Sequence, residues 1–216
     1  MIRRQTTVPR NYTAVASRKK KSVAWFVSKY DTMYKYGSQR EKYVKELRKY
    51  IDVDIFGECG PRECPKSDMS HCMDILTFTY RFYLGFDNSL CQQYVTEFFR
   101  TFREDTELVP VVLGGHDYKR YVPEGTYINA ADFRSPKDLA KHLHALSKDI
   151  HAYAAILERK SQYRVCHNRE FSWCRLCEML HKKNMGSKVY KDLYRWWEEG
   201  TCVTAREFFS SHKLKI

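Results

Sequence analysis

The stretch RFYLGFDNSLCQQYVTEFFRTFR, residues 81–103, concentrates hydrogen-bonding side chains where an apolar run gives way to an amphipathic one. The first run predicts a buried strand, and the spacing after it predicts a helix that begins near Gln92. The start of a helix carries unpaired backbone N–H groups and a positive dipole end, which favour phosphate. Glu97 could then accept hydrogen bonds from ribose hydroxyls, while Asn88 and Ser89 add polar contacts. The residues alone also fit an ordinary helix cap with a surface glutamate.

The elements around this stretch alternate between strands and helices. Most of the strands are continuous apolar runs, which is typical of a parallel sheet covered on both faces. The sequence therefore predicts an α/β fold, a doubly wound domain that binds its ligand at the carboxyl ends of the strands. Ser135 is expected to cap a helix that Pro136 begins. The predicted strands are 22–29, 51–57, 81–86, 109–115 and 126–133; the predicted helices are 39–50, 92–105 and 135–149, followed by a mostly helical tail from Ala152 with Trp196 and Trp197 as its apolar anchor.

The positive charge of the chain is concentrated at its N-terminus. The 216 residues carry a formal net charge of +12, and residues 1–21 contain seven Lys and Arg residues and no acidic one. We therefore expect residues 1–21 to be a basic, solvated leader or the remnant of a linker. Their RKKK run also fits a nuclear signal or a nucleic-acid patch, but no aromatic residues are interleaved with it. No apolar run approaches the roughly 18 residues that a membrane span needs.

Eight cysteines and one sequon bear on the compartment of the protein. Cys59, Cys64 and Cys72 lie in a loop rich in glycine and proline, where a disulfide bond, with Cys59 and Cys64 as candidates, would pin a flexible segment. Cys174 and Cys177 form a C-x-x-C motif, which fits a disulfide bond, a zinc site or free thiols. The sequon at Asn11 is a candidate for glycosylation. Together these features favour an oxidising compartment.

Asp52 and Asp54 form a D-x-D pattern of the kind that binds metal ions in some enzymes. They lie in a strand of alternating pattern, with Ile51, Val53 and Ile55 on the opposite face. We therefore expect structural aspartates here and no metal site.

The segment RFYLGFDNSLCQQYVTEFF resembles the signature of the α-1,3-fucosyltransferases of glycosyltransferase family 10, F-Y-L-x-F-E-N-S-x-x-x-D-Y-V-T-E-K-F. Four further segments follow one another in the order that the family shows: WFVSK, residues 38–54, VPVVLGG and DYKRYVPEGTYINAADF. The resemblance covers roughly residues 22–160, and CHNREFSWCRLC is similar to members that act on N-glycan cores.

The resemblance implies transfer of L-fucose from GDP-fucose to a GlcNAc hydroxyl of a glycan, in α-1,3 linkage and with inversion. It implies action in the Golgi lumen, no required cofactor, and no nucleic-acid partner. Members of the family have two facing α/β domains, the GT-B arrangement. This chain resembles the C-terminal, Rossmann-like domain that binds the donor.

The same resemblance implies a division of the chain. Residues 22–165 would form the donor-binding domain, and residues 166–216 a helical tail whose C-x-x-C is a disulfide bond in the family. The general base would lie in an N-terminal domain, and membrane attachment would need a segment outside this sequence. The chain is therefore expected to be a fragment or, alternatively, a GDP-fucose-binding module without catalysis.

Seven residues would contact the donor by their position in the family motifs. Arg40 would pair with the diphosphate, to which a planar guanidinium is well suited. Glu97 would hold the ribose. The others, in or beside the nucleotide-sugar pocket, are Tyr83, Asp87, Asn88, Ser89 and Tyr94.

Three positions depart from the signature: Asp87 replaces Glu, Gln93 replaces Asp, and Phe98 replaces the Lys that neutralises the diphosphate. Losing a cation aimed at a leaving group can cost ~2.7–4 kcal/mol, by analogy with lost oxyanion donors. We therefore expect Phe98→Lys to tighten the binding of GDP, measured by isothermal titration calorimetry. An unchanged affinity would mean that this segment is not aimed at the diphosphate.

Overall fold

The computed structural model describes residues 1–5, 10–27, 34–96, 106–165, 169–182 and 189–216. The strands are β1 (Ile2–Arg3), β2 (Lys21–Phe26), β3 (Val53–Phe56), β4 (Tyr80–Phe86), β5 (Val109–Leu113), β6 (Ile128–Asn129) and β7 (Tyr163–Arg164). The helices are α1 (Tyr12–Arg18), α2 (Arg40–Leu47), α3 (Met69–Thr79), α4 (Pro136–Lys148), α5 (Ile150–Ser161), α6 (Arg169–His181), α7 (Leu193–Glu198) and α8 (Ala205–Ser211).

Five parallel strands form the central sheet, in the order β3-β2-β4-β5-β6. The chain runs outwards from β2 to β3 and then returns to the other side of β2 with β4. The direction of the strand order therefore reverses between β2 and β4. In open parallel sheets, ligands bind outside the carboxyl ends of the strands at such a reversal. The short strands β1 and β7 form a separate antiparallel pair.

Both faces of the sheet are covered, because successive side chains of each strand point to opposite sides. Val23 and Trp25 of β2 pack in the cluster that contains α2, α4 and α5. Ala24 and Phe26 pack instead with Leu76 of α3. The predicted doubly wound α/β fold is confirmed. Helix α4 also begins as predicted, with the Ser135 side chain accepting a hydrogen bond from the backbone N–H of Asp138 at 3.2 Å.

The N-terminal segment differs from the prediction. Residues 12–18 form α1, which the side chain of Asn11 caps by accepting a hydrogen bond from Ala14 N at 2.9 Å. Val15 and Ala16 are buried in the main core, where α1 packs against α5. Part of the expected solvated leader is thus a core element, because the apolar side chains of Val15 and Ala16 pack α1 against α5.

The C-terminal tail differs as well. Its helices α6, α7 and α8 agree with a mostly helical tail. The expected apolar anchor does not form, since Trp196 and Trp197 are 50% and 57% exposed. Ala205 and Phe208 of α8 are buried in the main core instead. None of the helices in the described part of the chain combines the length and the apolar character that crossing a membrane requires.

The D-x-D pattern has the structural role expected of it. The Oδ2 atom of Asp54 accepts hydrogen bonds from Lys21 Nζ at 2.7 Å and from Tyr80 OH at 2.6 Å. Its Oδ1 atom lies 3.1 Å from Arg62 Nη2. Burial raises the pKa of Asp54, but these hydrogen bonds and charges outweigh it and lower the pKa overall. The carboxylate joins β2, β3, β4 and the cysteine-rich loop, whereas Asp52 is exposed.

Lys19 is a buried lysine between α1 and β2, with only 4% of its surface exposed. Its Nζ donates a hydrogen bond to the carbonyl oxygen of Thr77 in α3. Burial, partly offset by the nearby Glu107 carboxylate, lowers the pKa of Lys19 to about 7. The folded protein therefore releases a proton that the unfolded chain still binds above neutral pH.

This difference predicts how stability depends on pH. Between pH 7 and 10.5 the unfolded state binds more protons at Lys19, so the free energy of unfolding should rise with pH by up to about 1.4 kcal/mol per unit. We expect Lys19→Met to remove this rise, and the control Lys20→Met, at an exposed neighbour, to keep it. Urea unfolding between pH 7.5 and 9.5 measures the slopes. Parallel slopes for the wild type and Lys19→Met would contradict the prediction.

Candidate functional site

Two segments meet at the carboxyl edge of β2 and β4, where the strand order reverses. The first, residues 34–39, precedes α2, and the second, residues 87–96, follows β4. Backbone hydrogen bonds join them, from Ser38 N to Asn88 O at 2.9 Å and from Leu90 N to Tyr36 O at 3.1 Å. The hydroxyl of Tyr34 adds contacts to Asn88 O at 2.9 Å and to Ser89 Oγ at 2.7 Å. The two segments therefore form one surface.

Asn88 and Tyr94 are brought together at this surface. Tyr94 OH donates a hydrogen bond to Asn88 Oδ1 at 2.6 Å, and both side chains are half-buried. Burial raises the pKa of Tyr94, so its phenol stays protonated at neutral pH and remains a donor. These two side chains, with Ser89, are the predicted ligand-binding residues that the fold gathers at the open edge.

Asp87 is fully buried, and its carboxylate accepts hydrogen bonds from two other segments. Oδ1 accepts from Thr96 N at 3.0 Å and from Thr96 Oγ1 at 3.1 Å. Oδ2 accepts from Tyr118 OH at 2.9 Å. The expected contact between Asp87 and a ligand is therefore corrected: the carboxylate faces inwards and holds residues 94–96 against the sheet.

Two glycines close β5 because the chain has no room there for side chains. A Cβ atom on Gly114 would lie 2.6 Å from both Asp87 Oδ2 and Tyr118 OH. A Cβ atom on Gly115 would lie 2.5 Å from the carbonyl carbon of Leu90. The glycine pair of VPVVLGG thus lets the segment after β4 pack directly on the end of β5.

Arg40 begins α2 but is only 6% exposed. Its Nη1 donates a hydrogen bond to Phe86 O, the last carbonyl of β4, at 2.7 Å, and its guanidinium carbon lies 5.7 Å from the centre of the Trp25 ring. The guanidinium therefore lies beneath the site surface. Gln39, before it, has a left-handed backbone with φ 51° and provides no side-chain cap. The Oγ of Ser38 is fully buried and has no hydrogen-bond partner among the described residues.

Tyr83 and the helix predicted to begin near Gln92 do not take the positions expected from the sequence. Tyr83 is 1% exposed and packs against Phe26 in the cluster on the α3 face of the sheet, so its side chain is buried in the core. The helix predicted to begin near Gln92 is wrong in its described part: residues 92–93 form a turn, with φ 61° at Gln93, and residues 94–96 are irregular. Glu97 and the rest of that predicted helix lie outside the described residues.

A disulfide bond that the sequence did not identify fastens the site segment to the C-terminal tail. Cys91 is bonded to Cys202, 111 residues later in the chain. Backbone hydrogen bonds flank it, from Gln92 N to Thr201 O at 2.7 Å and from Val203 N to Leu90 O at 2.9 Å. Spacing alone gives no signal for such a distant pair, since eight cysteines allow many connectivities.

The predicted disulfide candidates are corrected in part. Cys64 is bonded to Cys72, and Cys59 is free, half-buried beside the main core. Cys174 and Cys177 are free and exposed, one turn apart on α6. Within the described residues no cluster of three His, Cys, Asp or Glu side chains could hold a metal ion.

Comparisons with known proteins agree with this architecture. The family model for the C-terminal part of glycosyltransferase family 10 (fucosyltransferase) matches residues 16–196. Glycoprotein 3-alpha-L-fucosyltransferase A of Drosophila melanogaster is 38% identical over 191 residues, which are 86% of this chain and 37% of that protein. Alpha-(1,3)-fucosyltransferase C of the same organism is 39% identical over 183 residues, 84% of this chain and 41% of that protein.

A solved structure is also similar. The crystal structure of an alpha1,3-fucosyltransferase with GDP-fucose superposes with a TM-score of 0.60 at 15% identity, over 79% of this chain and 50% of that one. At this identity the likeness concerns the fold. The chain spans about two fifths of the length of the two Drosophila relatives.

The Cys91–Cys202 bond should contribute strongly to stability. Closing a loop of about 100 residues lowers the entropy of the unfolded chain by an amount worth about 4–5 kcal/mol. We expect the double variant Cys91→Ser, Cys202→Ser to lose free energy of unfolding of this order in non-reducing urea titrations. The matched control, Cys174→Ser with Cys177→Ser, removes two exposed thiols and should change it by less than about 0.5 kcal/mol. Equal losses, or a Cys174–Cys177 bond in a non-reducing peptide map, would contradict the pairing.

Proposed function

Because the chain belongs to glycosyltransferase family 10, the fucosyltransferases, we propose that it binds GDP-fucose at the carboxyl edge of β2 and β4. Within a protein of family length, this site would serve the transfer of L-fucose to a GlcNAc hydroxyl of a glycan, in α-1,3 linkage. The observation that carries the proposal is the meeting of residues 34–39 and 87–96 at the strand-order reversal. The relatives named above are themselves fucosyltransferases that act on the 3 position.

We propose that the nucleotide-sugar pocket is lined by Asn88, Ser89 and Tyr94. These side chains supply neutral donors and acceptors at an open edge, as recognition of base, ribose and sugar hydroxyls requires. Glu97 would hold the ribose, as its place in the family motif implies. The buried Tyr83 and Asp87 would support the pocket from behind.

The diphosphate would bind at the N-terminus of α2. Gln39 provides no side-chain cap for this helix, so its first N–H groups and the positive end of its dipole would be available to phosphate oxygens beside residues 34–39. The buried hydroxyl of Ser38, with no partner among the described residues, can donate to a phosphate oxygen there. The buried guanidinium of Arg40 adds its positive charge beneath this surface, and its hydrogen bond to Phe86 O holds the start of α2 next to the end of β4.

The proposed reaction is a direct displacement in which the acceptor hydroxyl attacks the anomeric carbon and GDP leaves with the bonding electron pair. A general base must be within hydrogen-bond reach of the attacking hydroxyl. The carboxylate of Asp87 cannot serve, because it is buried and already accepts three hydrogen bonds. We propose that the base lies in another domain of the protein, as the two-domain arrangement of the resembled family implies.

The remaining assignments are proposals of the same kind. Residues 22–165 would be the donor-binding domain and residues 166–216 its tail, with α1 as an added core helix. Action in the Golgi lumen fits the two disulfide bonds, because oxidising compartments favour them. Asn11 is exposed and could carry a glycan, although its Oδ1 also caps α1.

Calorimetry tests the donor site directly. We expect the chain to bind GDP and GDP-fucose, and Asn88→Ala to weaken the binding about tenfold or more, since a hydrogen bond lost with its partner left unsatisfied costs about 1–3 kcal/mol. The control, Gln92→Ala, removes an exposed amide from the same segment and should leave the affinity within about twofold. Absence of binding by the wild type at millimolar GDP would overturn the proposal.

A further inference from the structure

Tyr118 lies outside the segments that line the proposed pocket, in the turn after β5. Its side chain is only 2% exposed, and its hydroxyl donates a hydrogen bond to Asp87 Oδ2 at 2.9 Å. Burial, and then the Asp87 carboxylate, raise the pKa of Tyr118 well above its usual range. The phenol therefore stays protonated and remains a hydrogen-bond donor at every physiological pH.

Through Asp87, this hydroxyl is connected to the site segment. The other carboxylate oxygen of Asp87 accepts hydrogen bonds from Thr96 N and Thr96 Oγ1. Val95, between Thr96 and Tyr94, packs against the small cluster that contains Tyr118. Residues 94–96 are thus held from the side of β5 in two ways: by the hydrogen bonds of Thr96 to Asp87 and by the apolar contact of Val95 with the Tyr118 cluster.

The carboxylate needs all these donors because it is removed from water. A buried charge without compensating hydrogen bonds is strongly unfavourable. If the Tyr118 donor were lost, Oδ2 would lose this hydrogen bond, which would favour a shift of the Asp87 side chain towards another donor or towards solvent. Either movement would carry Thr96, and with it Tyr94, away from Asn88.

The close approach is built into the backbone. Gly114 leaves the space between the two side chains, since its Cβ atom would lie 2.6 Å from both the tyrosine oxygen and the carboxylate oxygen. Tyr118 also has packing partners, with the Tyr127 ring centre 5.8 Å and the His116 ring centre 5.5 Å from its own. The ring thus fills the core, while the hydroxyl alone makes the link to Asp87.

We infer that Tyr118 is a positioning residue of the donor site: through Asp87 it fixes residues 94–96, so that Tyr94 and Asn88 meet the nucleotide sugar in one arrangement. This inference rests on the proposed function for its ligand. An arrangement fixed before binding lowers the entropy lost when the ligand binds. The role goes beyond that of a core residue, because the link to Asp87 depends on the hydroxyl group and not on the packing of the ring.

The first test uses Tyr118→Phe in the full chain, a change that keeps the ring and removes the hydroxyl. We expect the affinity for GDP, measured by calorimetry on folded protein, to fall about tenfold, as for other hydrogen bonds to charged groups. The matched control is Tyr121→Phe, which removes the hydroxyl of a tyrosine 41% exposed in the same turn. An affinity within twofold of the wild type for Tyr118→Phe would overturn the inference.

The second test needs no ligand. Thr96 donates its backbone N–H to Asp87, so its amide should exchange with solvent at least tenfold faster in Tyr118→Phe, while the Val111 amide in β5 keeps its rate. Equal protection of Thr96 in both proteins would also overturn the inference. If the wild type bound no GDP, the proposed function would fail, but this measurement would still decide whether Tyr118 holds the segment.

A third test asks whether the two residues act as one unit. Asp87→Asn should weaken GDP binding, and the double variant with Tyr118→Phe should be no weaker than the worse single variant, because both remove the same link. Additive losses would contradict it. If Tyr118→Phe does not fold, Thr96→Val removes an exposed donor on the other side of Asp87 and should weaken binding in the same way; unchanged affinity would overturn the inference.

Discussion

A carboxylate that is removed from water has to be surrounded by donors, and at Asp87 the donors come from two different parts of the chain. The tyrosine hydroxyl comes from the turn after β5, and the threonine donors come from the end of the site segment. Because breaking any of these hydrogen bonds would leave a buried charge less well compensated, the ends of β4 and β5 and residues 94–96 are held together. The arrangement of residues at the site surface therefore depends on the buried carboxylate of Asp87, which the surface itself does not expose.

The order of the strands gives that surface its place. From β2 the chain continues to β3 on one side of the sheet, and from β4 it continues to β5 on the other side, so the two connections diverge. Residues 34–39 lie at this point, beside the segment that follows β4. Arg40 contributes to the same junction from below, through its hydrogen bond to the last carbonyl of β4. A cation next to an exposed ligand site can thus act by holding two elements together as well as by its charge.

Local patterns in the sequence predicted much of this fold. Apolar runs identified the strands, and the pair Ser135 and Pro136 identified the start of α4, since caps depend on neighbouring residues. The failures concern information that is not local. Tyr83 was assigned to the pocket from its place in the family motif, which does not reveal which face of β4 its side chain takes. In its described part, residues 92–96, the predicted helix is instead a turn and an irregular segment, where Asp87 accepts the Thr96 N–H and the adjacent Cys91 is bonded to Cys202.

The distance between Cys91 and Cys202 along the chain affects the order in which the disulfide bonds can form during synthesis. During synthesis at 5–20 residues per second, the thiol of Cys91 waits on the order of ten seconds for its partner, which lies 111 residues later. Cys64 and Cys72 are both made before it and are only 8 residues apart, so that pair can close first. The edge where the sugar donor is proposed to bind is thus covalently completed after the cysteine-rich loop.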